Sequence, residues 1–211
     1  MKRPACKPWH QAVLGLVLAA LLALPITRHG LEASMWSHML LQFPLWMLAG
    51  ALLAAALPAR VRHAIASCNA HGITGLVWVG VLLSVLMVPR VLDLALRDMG
   101  VELAKCTALL LAGVLLRLSW RPAGLVLQGF FLGMLLPMMA VVGQLYIDSP
   151  LRLCNAYLQD DQMRLGRWLI GLAALLALAW LAHVGWRLVR REEVMLMTAE
   201  PQAPEYRRNS Q

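Results

Sequence analysis

The sequence predicts an all-α fold, an integral membrane bundle of about six transmembrane helices. Of its 211 residues, 60% are hydrophobic and only 14% are charged, whereas a soluble domain carries about 25% charged residues. The mean hydropathy is +0.66, and several apolar runs approach the ~20 residues that cross a bilayer as a helix. No repeat or low-complexity linker divides the chain, so we expect one membrane domain over residues 1–193 and a polar cytoplasmic tail over 194–211.

The apolar runs predict the six helices in order. They cover residues 9–26, 35–57, 72–92, 99–118, 123–145 and 165–189. The first run follows a basic segment, residues 2–7, as the apolar part of a signal peptide would, but no A-x-A cleavage site follows Pro25, which favours a retained helix. Gly129 and Gly133 form a G-x-x-x-G pattern, which favours close helix packing inside the chain over a dedicated dimer contact.

The basic residues predict the orientation and exclude one class of partner. Counted by alternating side, twelve Lys and Arg fall on one side, six on the other, and Lys105 lies inside a helix. The chain is therefore expected in a bacterial inner membrane with both termini in the cytoplasm. Residues 27–34, 93–98 and 146–164 are then expected on the external side. The net charge of +8 is spread between apolar runs, which fits lipid head groups and makes the bilayer, not nucleic acid, the expected partner.

Ionisable residues at membrane depth single out the start of the fourth predicted helix. Such residues are costly in lipid and need a partner or a function. Glu102 and Lys105 are three positions apart, and Glu102 and Cys106 are four apart, so all three share one helix face. Two interpretations stay open, a Glu102–Lys105 pair that steadies the helix end and a functional site.

A metal site is the functional hypothesis for this region. The second, third and fourth helices bring His38, Met87, Glu102 and Cys106 to the same external depth, and thioether, thiolate and imidazole are ligands that suit Cu(I). A packed contact without metal is the alternative. No compact motif of metal ligands, zinc-type cysteine spacing, phosphate-binding loop or hydrolase triad is present, so we do not expect an enzyme.

Several segments resemble the CtaG family of cytochrome c oxidase assembly proteins. Tyr157 and then Asp160-Asp161-Gln162 precede a last helix that ends in a basic and acidic stub, Trp186 to Glu193. Residues 37–41, followed by Pro44 and Leu45, are similar to the H-M-x-x-H-L-L-L and proline segment of that family. Residues 89–96 are similar to its P-x-L-Y-D-x-A-L segment, and the similarity covers about residues 30–193.

This chain also departs from the family pattern at several histidines. Met87 stands where the family has the histidine of W-H-x-P, and Glu102 and Cys106 stand at its H-x-x-x-H. The resemblance implies a membrane factor that helps a haem-copper oxidase to mature, with oxidase subunits as partners and copper presented at the external side. Because of the departures, a family member that binds no metal is the other possibility. Asp161 and Gln162 match signature residues, and Asp161 is also expected to cap the last helix. A structural accessory subunit and a small transporter are the alternative functions.

Overall fold

The computed structural model describes residues 8–154 and 156–199. In these residues the chain is helical and contains no strand, which confirms the all-α prediction. The helices are α1 (Pro8–Ala23), α2 (Pro25–Glu32), α3 (Met35–Ala56), α4 (Ala59–Cys68), α5 (Ile73–Leu86), α6 (Pro89–Arg97), α7 (Met99–Trp120), α8 (Gly124–Asp148) and α9 (Gln159–Ala199). By internal contacts the chain forms two units, Met1–Ala173 and Ala174–Gln211. The described part of the first unit is the helix bundle below, and that of the second is the helical stretch 174–199. Residues 200–211 of the expected polar tail lie outside the described residues.

Four helices of the described chain are long and apolar enough to cross a membrane: α3, α7, α8 and the Gln159–Glu193 part of α9. Two bent helix pairs pass the same test of length and composition. They are α1 with α2, and α4 with α5 and the short turn before it, each bent by 70°. The structure is therefore compatible with a multi-pass membrane protein of four to six spans.

Prolines divide two of the helices that the hydrophobic pattern joins. The predicted helix over 9–26 ends at Ala23, because Leu24 is extended before Pro25 (φ −64°, ψ 134°). The predicted helix over 72–92 likewise ends at Leu86, and Val88 is extended before Pro89. Proline clashes with a helical residue in front of it but fits the first turn of a new helix, so each apolar run becomes two helices.

Small residues let the helices cross at close range. A Cβ atom on Gly50 of α3 would overlap the carbonyl of Leu110, and one on Gly113 of α7 would overlap the carbonyl of Met47. Gly143 and Gly166 face each other in the same way where α8 meets α9. Gly133 has no atom of the described chain near its Cβ position, so the expectation that the G-x-x-x-G motif packs inside the chain is wrong at this residue.

The ends of the helices in the first unit gather in two groups. The starts of α3 and α7 meet through His38 and Lys105, and the ends of the same helices meet through Ala51 and Arg117, so α3 and α7 run parallel. Helix α5 runs antiparallel to α3 and α7, because its first turn lies against Ser119 near the end of α7. We call the group that contains His38 and Lys105 the network end.

Candidate functional site

A widened helical turn presents the first side chains of the site. Residues 38–42 of α3 form a π turn, a feature that is often found at functional sites. Pro44 gives a local reason for it, because proline has no N–H to donate to the carbonyl of Leu40 and its ring crowds that carbonyl. His38 and Gln42, at the two ends of this turn, are both buried.

The ammonium group of Lys105 lies at the centre of the site. Its Nζ atom is 2.8 Å from Nε2 of His38, 2.7 Å from Oε2 of Glu102 and 3.4 Å from Oε1 of Gln42. His38 is fully buried, and Glu102 and Lys105 are each only 3% exposed. The ring of Phe43 lies 5.8 Å from Nζ and adds a cation–π contact. A buried charge therefore has an anion, two polar acceptors and an aromatic face around it.

The hydrogen bonds that continue from Lys105 have one consistent direction. Because Lys105 is paired with a carboxylate and donates, Nε2 of His38 accepts, and the imidazole proton sits on Nδ1. Nδ1 is 2.8 Å from the hydroxyl oxygen of Tyr157, and this hydroxyl donates to the backbone carbonyl of Glu32 at 3.0 Å. Every polar atom along this path has a partner of the right kind.

Arg28 closes the path into a ring. Its Nε atom donates to Oε1 of Glu32 at 2.9 Å and lies 3.9 Å from Oε1 of Glu102. Two cations and two carboxylates thus balance within one cluster, which lowers the cost of holding charge at this depth. We call this ring the polar network; it comprises Arg28, Glu32, His38, Gln42, Glu102, Lys105 and Tyr157.

Three of the four residues predicted as copper ligands belong to one cluster around Lys105. His38 and Glu102 contact its ammonium group, and the thiol of Cys106 donates to Oε1 of Glu102 at 3.3 Å. The backbone of Met87 is joined to α8, because its carbonyl accepts the Tyr146 hydroxyl at 2.9 Å. Within the described residues, no group of three His, Cys, Asp or Glu side chains is arranged to hold a metal ion.

A second polar contact ties the loop between α8 and α9 to the network end. The buried carboxylate of Asp93, on α6, accepts from the Cys154 thiol at 2.9 Å and from the Ala156 amide at 3.1 Å. Burial, and then the bond and charge of Asp93, raise the pKa of Cys154 to about 12. Burial, followed by repulsion from Cys154 once its thiol has ionised and from the Glu32 carboxylate, raises the pKa of the Tyr157 hydroxyl well above its usual range. Both groups are therefore proton donors at neutral pH.

The two signature residues occupy the start of α9. Gln162 is buried, and its Oε1 accepts from the Leu153 amide at 2.9 Å while its Nε2 donates to the Tyr146 carbonyl at 3.1 Å. This one amide thus joins the loop to the end of α8. Asp161 lies in the first turn of α9 rather than ahead of it, because the helix already begins at Gln159. There its carboxylate still faces the positive end of the helix dipole.

Sequence reasoning missed three residues of the polar network, Arg28, Glu32 and Gln42, and the contact that Tyr157 makes with His38. Arg28 and Glu32 are four positions apart and so carried a pairing signal, but they were placed in an external segment. Gln42 and Tyr157 carried no such signal, because their partners lie 63 and 119 positions away. Asp98 was also missed, although it caps α7 by accepting from the Gly100 and Val101 amides.

The chain was compared with protein-family models, curated proteins and solved structures, and none of them matches it.

Proposed function

We propose that this chain is a non-catalytic multi-pass protein of a bacterial inner membrane that assists assembly of a haem-copper respiratory oxidase. The observation that carries the proposal is the convergence of the segments on which the family resemblance rests. His38 comes from one of them, Asp93 from a second, Glu102 from the start of α7, and Tyr157 and Gln162 from the last. All of them lie at the network end.

The proposed topology has six spans, with each bent pair counted as one, and both termini in the cytoplasm. The helix directions support it, because α3 and α7 both begin at the network end while α5 begins at the opposite end. The sequence count also supports it, with twelve Lys and Arg on the proposed cytoplasmic side and six on the other. Reporter fusions after Lys7 and after Arg208 should both report the cytoplasm, and an external report from only one of them would refute the even span number.

The geometry favours assistance through protein contacts over copper delivery. Presentation of copper by His38, Met87, Glu102 and Cys106 remains a prediction of the sequence. In the structure, however, Nε2 of His38 and the carboxylate of Glu102 are both engaged by Lys105. A structural accessory subunit is the second candidate, because a network that satisfies its own charges needs no ligand.

Deletion and complementation in the native host would test the proposal. We expect the deletion to reduce assembled oxidase, measured by the reduced-minus-oxidised haem spectrum of the membranes, and the wild-type chain to restore it. Tyr157→Phe should restore it only in part, whereas Arg62→Gln, at an exposed arginine of α4, is the matched control and should restore it fully. Unchanged oxidase in the deletion strain would refute the assembly role.

Co-isolation in mild detergent separates the two candidate roles. An assembly factor should be recovered with oxidase subunits that are not yet fully assembled, and it should be absent from the mature enzyme. An accessory subunit should be recovered with the mature enzyme in constant stoichiometry. Recovery with neither form would contradict both roles.

A further inference from the structure

We infer that Lys105 is a built-in cation that takes the place of a metal ion, so that the site at the network end works without copper. The inference concerns the chemistry of the site and does not depend on which complex the chain serves. For Glu102, Lys105 and Cys106 it favours an ion pair over a metal-binding site.

The first argument is the set of atoms around Nζ. An imidazole nitrogen, a carboxylate oxygen and an amide oxygen point at one position from three sides, at 2.8, 2.7 and 3.4 Å. Such nitrogen and oxygen donors are also common metal ligands. In this chain the position belongs to a covalently attached ammonium group, and its distances are those of hydrogen bonds and an ion pair rather than of the ~2.0–2.2 Å bonds to a metal.

The second argument is the direction of the His38 ring. Its Nδ1 proton is used by Tyr157, so the only free lone pair of the imidazole is on Nε2, and this lone pair faces Lys105. A metal-binding histidine is held in the same way, with one nitrogen donating to an acceptor behind it and the other facing the ion. His38 thus has the orientation of a ligand, but it faces an ammonium group.

The third argument is charge. Lys105 and Arg28 balance Glu102 and Glu32 within the polar network. A copper ion added beside Lys105 would place a third positive charge in a cluster that is already neutral and only partly exposed, which is costly there. The donor set therefore does not fit copper while Lys105 is present.

Removal of the lysine amine should expose the metal-like donors. In Lys105→Ala, His38 Nε2 and the Glu102 carboxylate would lose the ammonium group that they contact, and the Cys106 thiol lies beside that carboxylate. Lys105→Leu removes the amine without adding a ligand atom and serves as the second variant in case the alanine variant does not fold. Arg62→Ala removes an exposed cation of α4 and is the matched control.

The test is a Cu(I) titration of the purified full-length chain in detergent, without oxygen and against a chromogenic chelator, with helicity checked by circular dichroism. We expect no stoichiometric copper on the wild type or on Arg62→Ala, and about one equivalent on a folded Lys105 variant. His38→Ala in the Lys105 variant should abolish the gain. Stoichiometric copper on the wild type that is lost in His38→Ala would overturn the inference, as would folded Lys105 variants that bind none.

Discussion

The hydroxyl group of Tyr157 lies 2.8 Å from Nδ1 of His38, although the two residues are 119 positions apart in the sequence. This contact joins the loop before α9 to the π turn of α3. It also holds the imidazole ring so that Nε2 faces the ammonium group of Lys105. Four predictions follow from contacts of this kind at the network end.

Tyr157→Phe should lower the free energy of unfolding by about 1–3 kcal/mol. The change removes the hydroxyl but keeps the ring, so a buried imidazole N–H and the Glu32 carbonyl lose their partner. SDS titration in mixed micelles, followed by circular dichroism, would measure the loss. Thr107→Val is the matched control, because the Thr107 hydroxyl is exposed and bonds only to carbonyls of its own helix. Equal stability of Tyr157→Phe and wild type would contradict the Tyr157–His38 contact.

Lys105 and Glu102 should be strongly coupled in a double-mutant cycle. Lys105→Met or Glu102→Gln alone leaves a buried charge without its nearest partner and should cost about 3–5 kcal/mol. The double variant should cost less than the sum of the two single variants, because both members of the pair are then neutral. The same SDS titration applies to all four proteins. Additive effects would show that the two charges do not form a pair in the bilayer.

Gln162 should matter more for stability than its neighbour Asp161. Gln162→Leu leaves the Leu153 amide and the Tyr146 carbonyl without the bonds they now make, which should cost about 1–3 kcal/mol. Asp161→Ala removes only a carboxylate from the first turn of α9 and should cost about 0.3–1 kcal/mol. Limited proteolysis of the loop at residues 149–158 gives a second measurement, and cleavage should become faster in Gln162→Leu. The reverse order of the two variants would disprove this assignment of roles.

Cys154 should resist alkylation until the pH is high. With its pKa raised to about 12, it carries little of the reactive thiolate at pH 8. The exposed Cys68 is the internal control, and peptide mass spectrometry would report the rate at each site between about pH 7 and 10. Asp93→Asn should speed the reaction at Cys154, because the neighbouring negative charge is removed. Equal rates at Cys68 and Cys154 in the wild type would contradict the buried thiol.

The same shift has a definite sign for stability. The pKa of Cys154 is higher in the folded chain than the ordinary thiol value of 9.0. The folded state therefore favours the protonated thiol. Its contribution to stability is complete below the ordinary value and is lost as the pH rises from there towards about 12.

The sequence predicted where helices lie better than where they end. Apolar composition alone predicts a long buried or lipid-facing helix, and the runs over 35–57, 99–118 and 123–145 correspond closely to α3, α7 and α8. Errors occurred at Pro25 and Pro89, where a local steric clash divides a run that hydropathy counts as continuous. The structure also adds α4 between two predicted helices and extends α9 beyond the predicted 165–189 at both ends. Local backbone chemistry, which a sliding average does not detect, decides such boundaries.

Within the candidate site, the sequence could predict only contacts between residues of the same helix. Helical spacing places Glu102 beside Lys105, and the structure contains that ion pair. Common depth brought His38 to the same level, but depth does not specify which side chains touch across helices. The structure accordingly joins Met87 to Tyr146 and brings Tyr157 to His38, because helix crossings and the path of a loop decide these contacts.

The contact between α3 and α7 at Gly50 and Gly113 determines how far one helix is shifted along its axis relative to the other. Gly50 and Gly113 bring the two backbones into contact, and any slip of one helix by a single residue would move it by about 1.5 Å along its axis. Hydrogen bonds tolerate only a few tenths of an ångström around their usual lengths. A bulkier side chain at either glycine would therefore misalign His38 and Lys105 without approaching them. Two residues that carry no functional group thus govern, from a distance, whether an imidazole and an ammonium group can meet.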